Sequence, residues 1–249
     1  KPSRNRTVLI GLVRDLRNPL ATRFELRAPN PKSNTYLVAA SSYMAMLDGI
    51  KAALENKKTS KELEASLSKA YGDKDFYLEK NREYRSERDL FDEYTHEERE
   101  RLYGFVPRTV WENLQAFDKF PDKLKVFMLD DVMPEATLDS YRQALLQTWE
   151  KELYNRIIPE VMDLVRDCKK LHDDDDCVDF DIAKWKEIQE MRVYLGQDTL
   201  SDMCLLTRIK EALKNKDYET ASNLQIEMQA VEERLVEVYI IYKKNLFSR

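Results

Sequence analysis

Thr22-Arg23-Phe24-Glu25-Leu26-Arg27 alternates polar and apolar side chains without a break. A period of two is that of a strand, whose successive side chains point to opposite faces. Arg23, Glu25 and Arg27 share one face, each about 6.8 Å from the next, and Phe24 and Leu26 share the other. Ala28-Pro29-Asn30-Pro31 stops the strand, because proline has no N–H to give to a ladder. Upstream, Thr7-Val8-Leu9-Ile10-Gly11-Leu12-Val13 is a short apolar run rich in β-branched residues and predicts a buried strand. Residues 14–20 are polar and end near Pro19, so they read as a turn.

Downstream the period changes. Asn34 is placed to cap a long helix over residues 35–56. Ala39, Ala40, Ser41 and Ser42 give that helix a small-residue stretch for close packing, and Gly49 costs about 1 kcal/mol relative to Ala without breaking it. Residues 57–105 are highly charged and read as a solvated insertion with surface helices over 61–70 and 87–102. Val106-Pro107 marks a boundary, Thr109 caps a helix opening at Val110-Trp111, and Phe120-Pro121 breaks it. A further helix starts near Pro134-Glu135 and carries Tyr141, Leu145, Trp149 and Leu153 at a spacing of four, with Pro159 expected to kink or restart it.

His172 and the four aspartates after it read as a linker; a calcium loop would need alternating oxygen ligands and a distal Glu. Beyond it Ile182, Trp185, Ile188, Met191 and Leu195 form a helical stripe that Gly196 ends. Leu206, Ile209 and Leu213 form a second stripe. Ala221, Leu224, Met228, Val231, Leu235, Val238 and Tyr242 alternate steps of three and four, an a/d seam. The polar turn at 214–217 predicts an antiparallel hairpin, its seam packed inside this protein or, as the alternative, against another subunit. Residues 213–221 weakly resemble the helical hairpin of nucleotide-excision-repair nucleases and some kinase regulators.

The fold class expected is α+β, predominantly α: short antiparallel strands at the N-terminus, belonging to a larger sheet, then a helical bundle. The expected divisions are 1–158, a linker region at 159–177 and a helical extension at 178–249. The chain has 249 residues, 43% apolar and 35% charged, with 5 Gly, a mostly helical globular balance. Its net charge of −5 offers no basic stripe for nucleic acid. No uninterrupted apolar run approaches the roughly 20 residues of a membrane helix, so no membrane partner is expected. Cys168, Cys177 and Cys204 form no paired motif and read as reduced thiols of a cytoplasmic protein. His96 and His172 lack zinc-type spacing and read as solvated side chains. The opening Lys-Pro-Ser, leading at once into a strand, suggests a start within a longer protein.

Two guanidiniums flanking one carboxylate suit a triphosphate and its metal. Arginine presents forked donors to phosphate, and glutamate supplies a hard oxygen to Mg²⁺. The same three residues would equally make an ion-pair ladder on a solvated sheet face. Their neighbours add a resemblance. Arg4-Asn5-Arg6-Thr7, Arg23-Phe24-Glu25-Leu26-Arg27, the run from Pro29 through Asn34 to Leu37, and Leu47-Asp48-Gly49-Ile50-Lys51 resemble, in order and separation, consecutive signatures of glutamine synthetase. The likeness resumes at Val106-Pro107-Arg108-Thr109 and Leu114 and fades by about Pro159.

That resemblance implies roles. Arg6 and Arg23 match arginines on the nucleotide phosphate side, Glu25 a ligand of the metal nearer the ATP phosphates, and Arg27 an arginine that holds the glutamate substrate. It implies ATP with Mg or Mn as cofactors, none tightly bound by this segment alone. It further implies glutamate and ammonia as substrates, reaction through γ-glutamyl phosphate, and a ring-like homo-oligomer. There are departures: the family's phosphate-binding arginine five residues after Arg6 is Gly11 here, with Arg14 or Arg17 as substitutes, and Thr35 replaces a proline. They keep open a γ-glutamyl amide ligase acting on a larger amine. A regulatory or oligomerisation module in 178–249 is the non-enzymatic alternative. The family's other metal carboxylates, metal-binding His, ammonia-site Asp and flap Glu have no counterparts in this sequence, so the chain alone is expected to be inactive and no catalytic residue is assigned.

Overall fold

The computed structural model describes residues 9–13, 15–173, 175 and 177–247, with only the backbone of 246 and 247. Arg6, Arg14 and the expected strand start at 7 and 8 lie outside the described residues. Two strands come first, β1 (Ile10–Val13) and β2 (Arg23–Leu26). The helices are α1 (Thr35–Glu55), α2 (Ser60–Ser66), α3 (His96–Tyr103), α4 (Val110–Lys119) and α5 (Pro121–Met128). Then come α6 (Glu135–Glu152), α7 (Ile158–Asp167), α8 (Asp179–Gly196), α9 (Leu205–Lys214) and α10 (Tyr218–Phe247). Predominantly helical with a small antiparallel sheet, this is the expected α+β class.

The chain divides into two compact units, Lys1–Val106 with Phe120–Glu135, and Pro107–Lys119 with Ala136–Arg249. This division by contacts falls elsewhere than the expected divisions at 158 and 178. Residues 158–167 form α7, whose Val161 and Val165 are buried, so the stretch anticipated as linker is part of the second unit's core.

In the first unit β1 and β2 pair antiparallel in the register Ile10↔Leu26, Gly11↔Glu25, Leu12↔Phe24 and Val13↔Arg23. A one-turn 3₁₀ helix at Pro19–Ala21 sits in the connection, the Asn18 side chain accepting from Leu20 N–H at 3.2 Å. The expectation of a buried first strand is corrected. Ile10, Leu12 and Leu26 are exposed and Phe24 is 75% exposed, so the hairpin's apolar face is uncovered. Among the described residues the sheet has only these two strands.

Asn34 caps α1 as expected, its Oδ1 accepting from Tyr36 N–H (3.0 Å) and Leu37 N–H (3.3 Å). α1 packs against α5, and Met44 and Met133 are the apolar side chains this unit buries, among the described residues. By length and composition α1 is apolar enough to cross a membrane, which corrects the expectation that no stretch qualifies. Ser41, Ser42, Asp48 and Lys51 interrupt its apolar residues, so it shows no continuous run. The Ser41 and Ser42 hydroxyls donate back to the Leu37 and Val38 carbonyls at 2.7 and 2.8 Å, hiding their polarity in the helix.

The surface helices of the charged stretch are shorter than expected. Capping boxes start both, Thr59 with Glu62 and Thr95 with Glu98. Residues 87–95 leave the helix because the Asp89 carboxylate takes the N–H groups of Phe91 (2.9 Å) and Asp92 (3.2 Å), a local turn that competes with helix. The loop between is tied rather than loose. Lys69 Nζ donates to the carbonyls of Lys80 (3.1 Å) and Arg82 (2.8 Å), and Glu79 accepts from Arg82 and Lys123.

The second unit is a helical bundle. α6 runs into α7 through a π-turn at Leu153–Ile157, which accommodates Pro159 and its missing N–H without ending the helix. α9 and α10 form the expected hairpin, and α10 packs on α8 as well: Leu206, Ile209, Leu213, Ala221, Leu224, Met228, Leu235, Val238 and Tyr242 are all buried in one core. The seam therefore serves this chain's own core. α4 joins the bundle through α10, where Thr109 Oγ1 and Ser222 Oγ lie 2.6 Å apart and Trp111 Nε1 donates to Glu219 at 2.7 Å. Trp149 Nε1 donates to Gln225 Oε1 at 2.8 Å, satisfying both groups inside the core.

His172 is not solvated. It is 8% exposed, with Nδ1 2.6 Å from the Tyr242 hydroxyl, which also accepts Leu171 N–H at 2.9 Å. Tyr239 similarly accepts Lys169 N–H at 3.2 Å. Two tyrosines one turn apart on α10 thus pin the segment after α7, which charge alone had suggested was free. The three cysteines are free thiols, and burial pushes the Cys168 thiol up from its ordinary value.

Candidate functional site

The register fixes the site's geometry. Gly11 and Val13 lie opposite Glu25 and Arg23, so the polar face of β2 is continued on β1 by a residue without a side chain and an apolar one. Arg27 extends the ladder by donating its N–H to the Leu9 carbonyl at 2.9 Å. Its guanidinium folds back to Glu25, Nη2 to Oε2 3.3 Å, and lies over Gly11, where an added Cβ would come within 3.4 Å of Nη2. Arg23 Nη1 donates to the Ala21 carbonyl at 3.4 Å. In the connection the Asp15 carboxylate accepts the N–H groups of Arg17 (2.9 Å) and Asn18 (3.0 Å).

Three of the four expected site residues, Arg23, Glu25 and Arg27, are thus gathered on one exposed ribbon; Arg6 lies outside the described residues. The Glu25–Arg27 pair is an exposed ion pair along one strand, with Gly11 and not a charged residue opposite Glu25. An exposed pair of this kind contributes about 0–1 kcal/mol, so an incoming triphosphate would meet little resistance in claiming the guanidinium. Arg17, one of the two substitutes for an arginine at 11, lies in the Asp15 turn; Arg14, the other, is outside the described residues. It is Arg27 whose guanidinium occupies the space above Gly11.

A divalent metal is not accommodated by these residues alone. Mg²⁺ takes about six oxygen ligands, several of them often water. Glu25 offers one carboxylate, and among the described residues no three His, Cys, Asp or Glu side chains gather to hold an ion. His96 sits near Glu100 at 3.3 Å on exposed α3.

One tie near the site escaped the sequence. Tyr77 donates its hydroxyl to Asp48 Oδ2 at 2.6 Å, fastening the charged loop to α1; burial first and then Asp48 push the phenol up to about 12. Asp48 falls within the Leu-Asp-Gly-Ile-Lys motif, but nothing in the spacing marks Tyr77 as its partner 29 residues on.

Curated proteins and solved structures give no match to the chain. The family model described as glutamine synthetase, catalytic domain, matches residues 2–71, which spans β1, β2, α1 and α2. Residues 2–71, under a third of the chain, are therefore similar to a segment of a glutamine synthetase catalytic domain.

Proposed function

We propose that this chain contributes one wall of an ATP-dependent glutamate–ammonia ligase site, reacting through γ-glutamyl phosphate. The observation that supports it most is the coincidence of Arg23, Glu25 and Arg27 on one exposed strand face within the matched segment. Phosphoryl transfer to a carboxylate asks for charge neutralisation and in-line positioning more than for covalent chemistry. Arg23, with Arg6, neutralises nucleotide phosphates; Arg27 orients the glutamate; Glu25 gives one oxygen to a phosphate-bound Mg²⁺ or Mn²⁺. The remaining metal donors and the ammonia site come from other chain segments, so residues 1–249 alone do not turn over. A cytoplasmic, ring-like homo-oligomer fits this reading. α1 lies inside the matched segment, which favours protein over lipid as the cover of its apolar residues.

The test is to place the preceding part of a glutamine synthetase catalytic domain ahead of residue 1 and measure glutamate- and ammonia-dependent ATP hydrolysis. Activity should appear in the joined chain, be absent from residues 1–249, and fall by about 10²-fold or more in Arg23→Ala or Glu25→Gln. A folded, inactive joined chain, or turnover by residues 1–249 alone, contradicts the proposal.

A further inference from the structure

α8 has apolar residues on two sides. Ile188 and Leu195 are buried in the bundle, while Ile182 is 50% exposed and Tyr194 41% exposed on the outer side. The sequence stripe had placed Ile182 with the inward set, and the structure turns it outward. A helix apolar on both sides is normally covered on both. The outer side is a groove of about 790 Å³ running along Ile182, Trp185, Lys186, Gln189, Glu190 and Val193. Lys170 and His172 close its Trp185 end, where the Tyr242 ring meets Trp185 at a tilt and His172 edge-to-face.

The charges in the groove select the occupant. Lys184, Glu187 and Arg234 already satisfy one another. Lys186 and Glu190 are exposed, and neither makes an ion pair among the described residues. They stand one turn apart, Lys before Glu, the weaker orientation for pairing within a helix. Laid antiparallel against a second α8, with the axis between them, each Lys186 meets the other copy's Glu190. Ile182 of each copy then reaches the Tyr194 end of the other. The pattern is complementary to itself, which a two-fold interface requires.

We infer that the outer side of α8 is a pairing surface for a second copy of this chain, Lys186 of one against Glu190 of the other. The inference is independent of the ligase reading. The contact spans about 18 Å of helix, short of a standard interface, as suits a weak, concentration-dependent pair.

The test is sedimentation equilibrium of the 249-residue chain from about 1 to 100 µM, with helicity followed by circular dichroism. The wild type should show a concentration-dependent dimer that weakens with salt. Lys186→Glu and Glu190→Lys should each weaken it about tenfold or more, because each places like charges at both symmetric contacts. The double exchange, K186E with E190K, should restore it, and Ile182→Asp should weaken it without loss of helix. A monomer throughout, single variants that associate as the wild type does, or a folded double exchange that fails to recover would each overturn the inference.

Discussion

Twenty side chains form the buried core of the second unit, whereas the first unit buries Met44 and Met133 alone among its described apolar residues. The two differ in what their sequences are for. The bundle repeats its apolar residues at helical spacing and closes on itself. The first unit carries the residues suited to phosphate chemistry and leaves the apolar faces of β2 and α1 open, with Phe24, Tyr36 and Leu54 all more than 70% exposed. Exposed apolar area of this kind marks a surface made to be covered. Among the described residues, the segment with the chemical signature is thus the one that leaves its apolar faces uncovered.

The largest effect that separates the units is a cavity. Leu235→Ala, in a fully buried position, should lower the bundle's unfolding free energy by about 2–5 kcal/mol. Met44→Ala should cost the first unit clearly less, because few neighbours surround it. Urea titration followed by circular dichroism, with a probe in each unit, measures both; equal losses would break the comparison.

A smaller effect tests the pinned segment after α7. Tyr242→Phe removes the hydroxyl shared by His172 Nδ1 and Leu171 N–H, and should cost about 1–3 kcal/mol as those groups lose a partner inside the protein. An unchanged unfolding midpoint would show that the segment is held by packing alone.

The smallest effect is electrostatic. Hydrogen bonding from Lys184, and then from Arg234, holds the Glu187 carboxyl below its ordinary value of 4.5. A depressed carboxylate contributes stability above the unfolded value and loses it as pH falls through the folded one. Glu187→Gln should therefore cost up to about 1 kcal/mol at pH 7, and the gap should close as the solution is taken into the acid range below that ordinary value. Paired thermal melts from neutral to acid pH measure it. A gap that widened on acidification would mean that another group dominates.

How much was legible in the sequence follows the same division. Asn34 announced α1, and the three-four alternation from Ala221 to Tyr242 announced the longest helix and its inward face, because caps and periodicity are local. The placement of Arg23 and Glu25 on one face was equally local, a consequence of strand period. What escaped depends on distant partners. His172 reads as solvated in the sequence because it fits no metal-ligand spacing, yet Tyr242, 70 residues on, buries it. The apolar run at 9–13 predicted burial, but burial needs a covering layer, and the described residues supply none. Arg27 lying over Gly11 needed the strand register, which sequence alone left unset.

Native-state hydrogen exchange read by mass spectrometry on the 249-residue chain tests most directly the claim that the signature-bearing segment leaves its apolar faces uncovered. Amides of β2 and α1 should exchange by local opening far below the global free energy, while those of α9 and the middle of α10 should exchange only with global unfolding. Protection of α1 and β2 equal to that of α10 would contradict the claim.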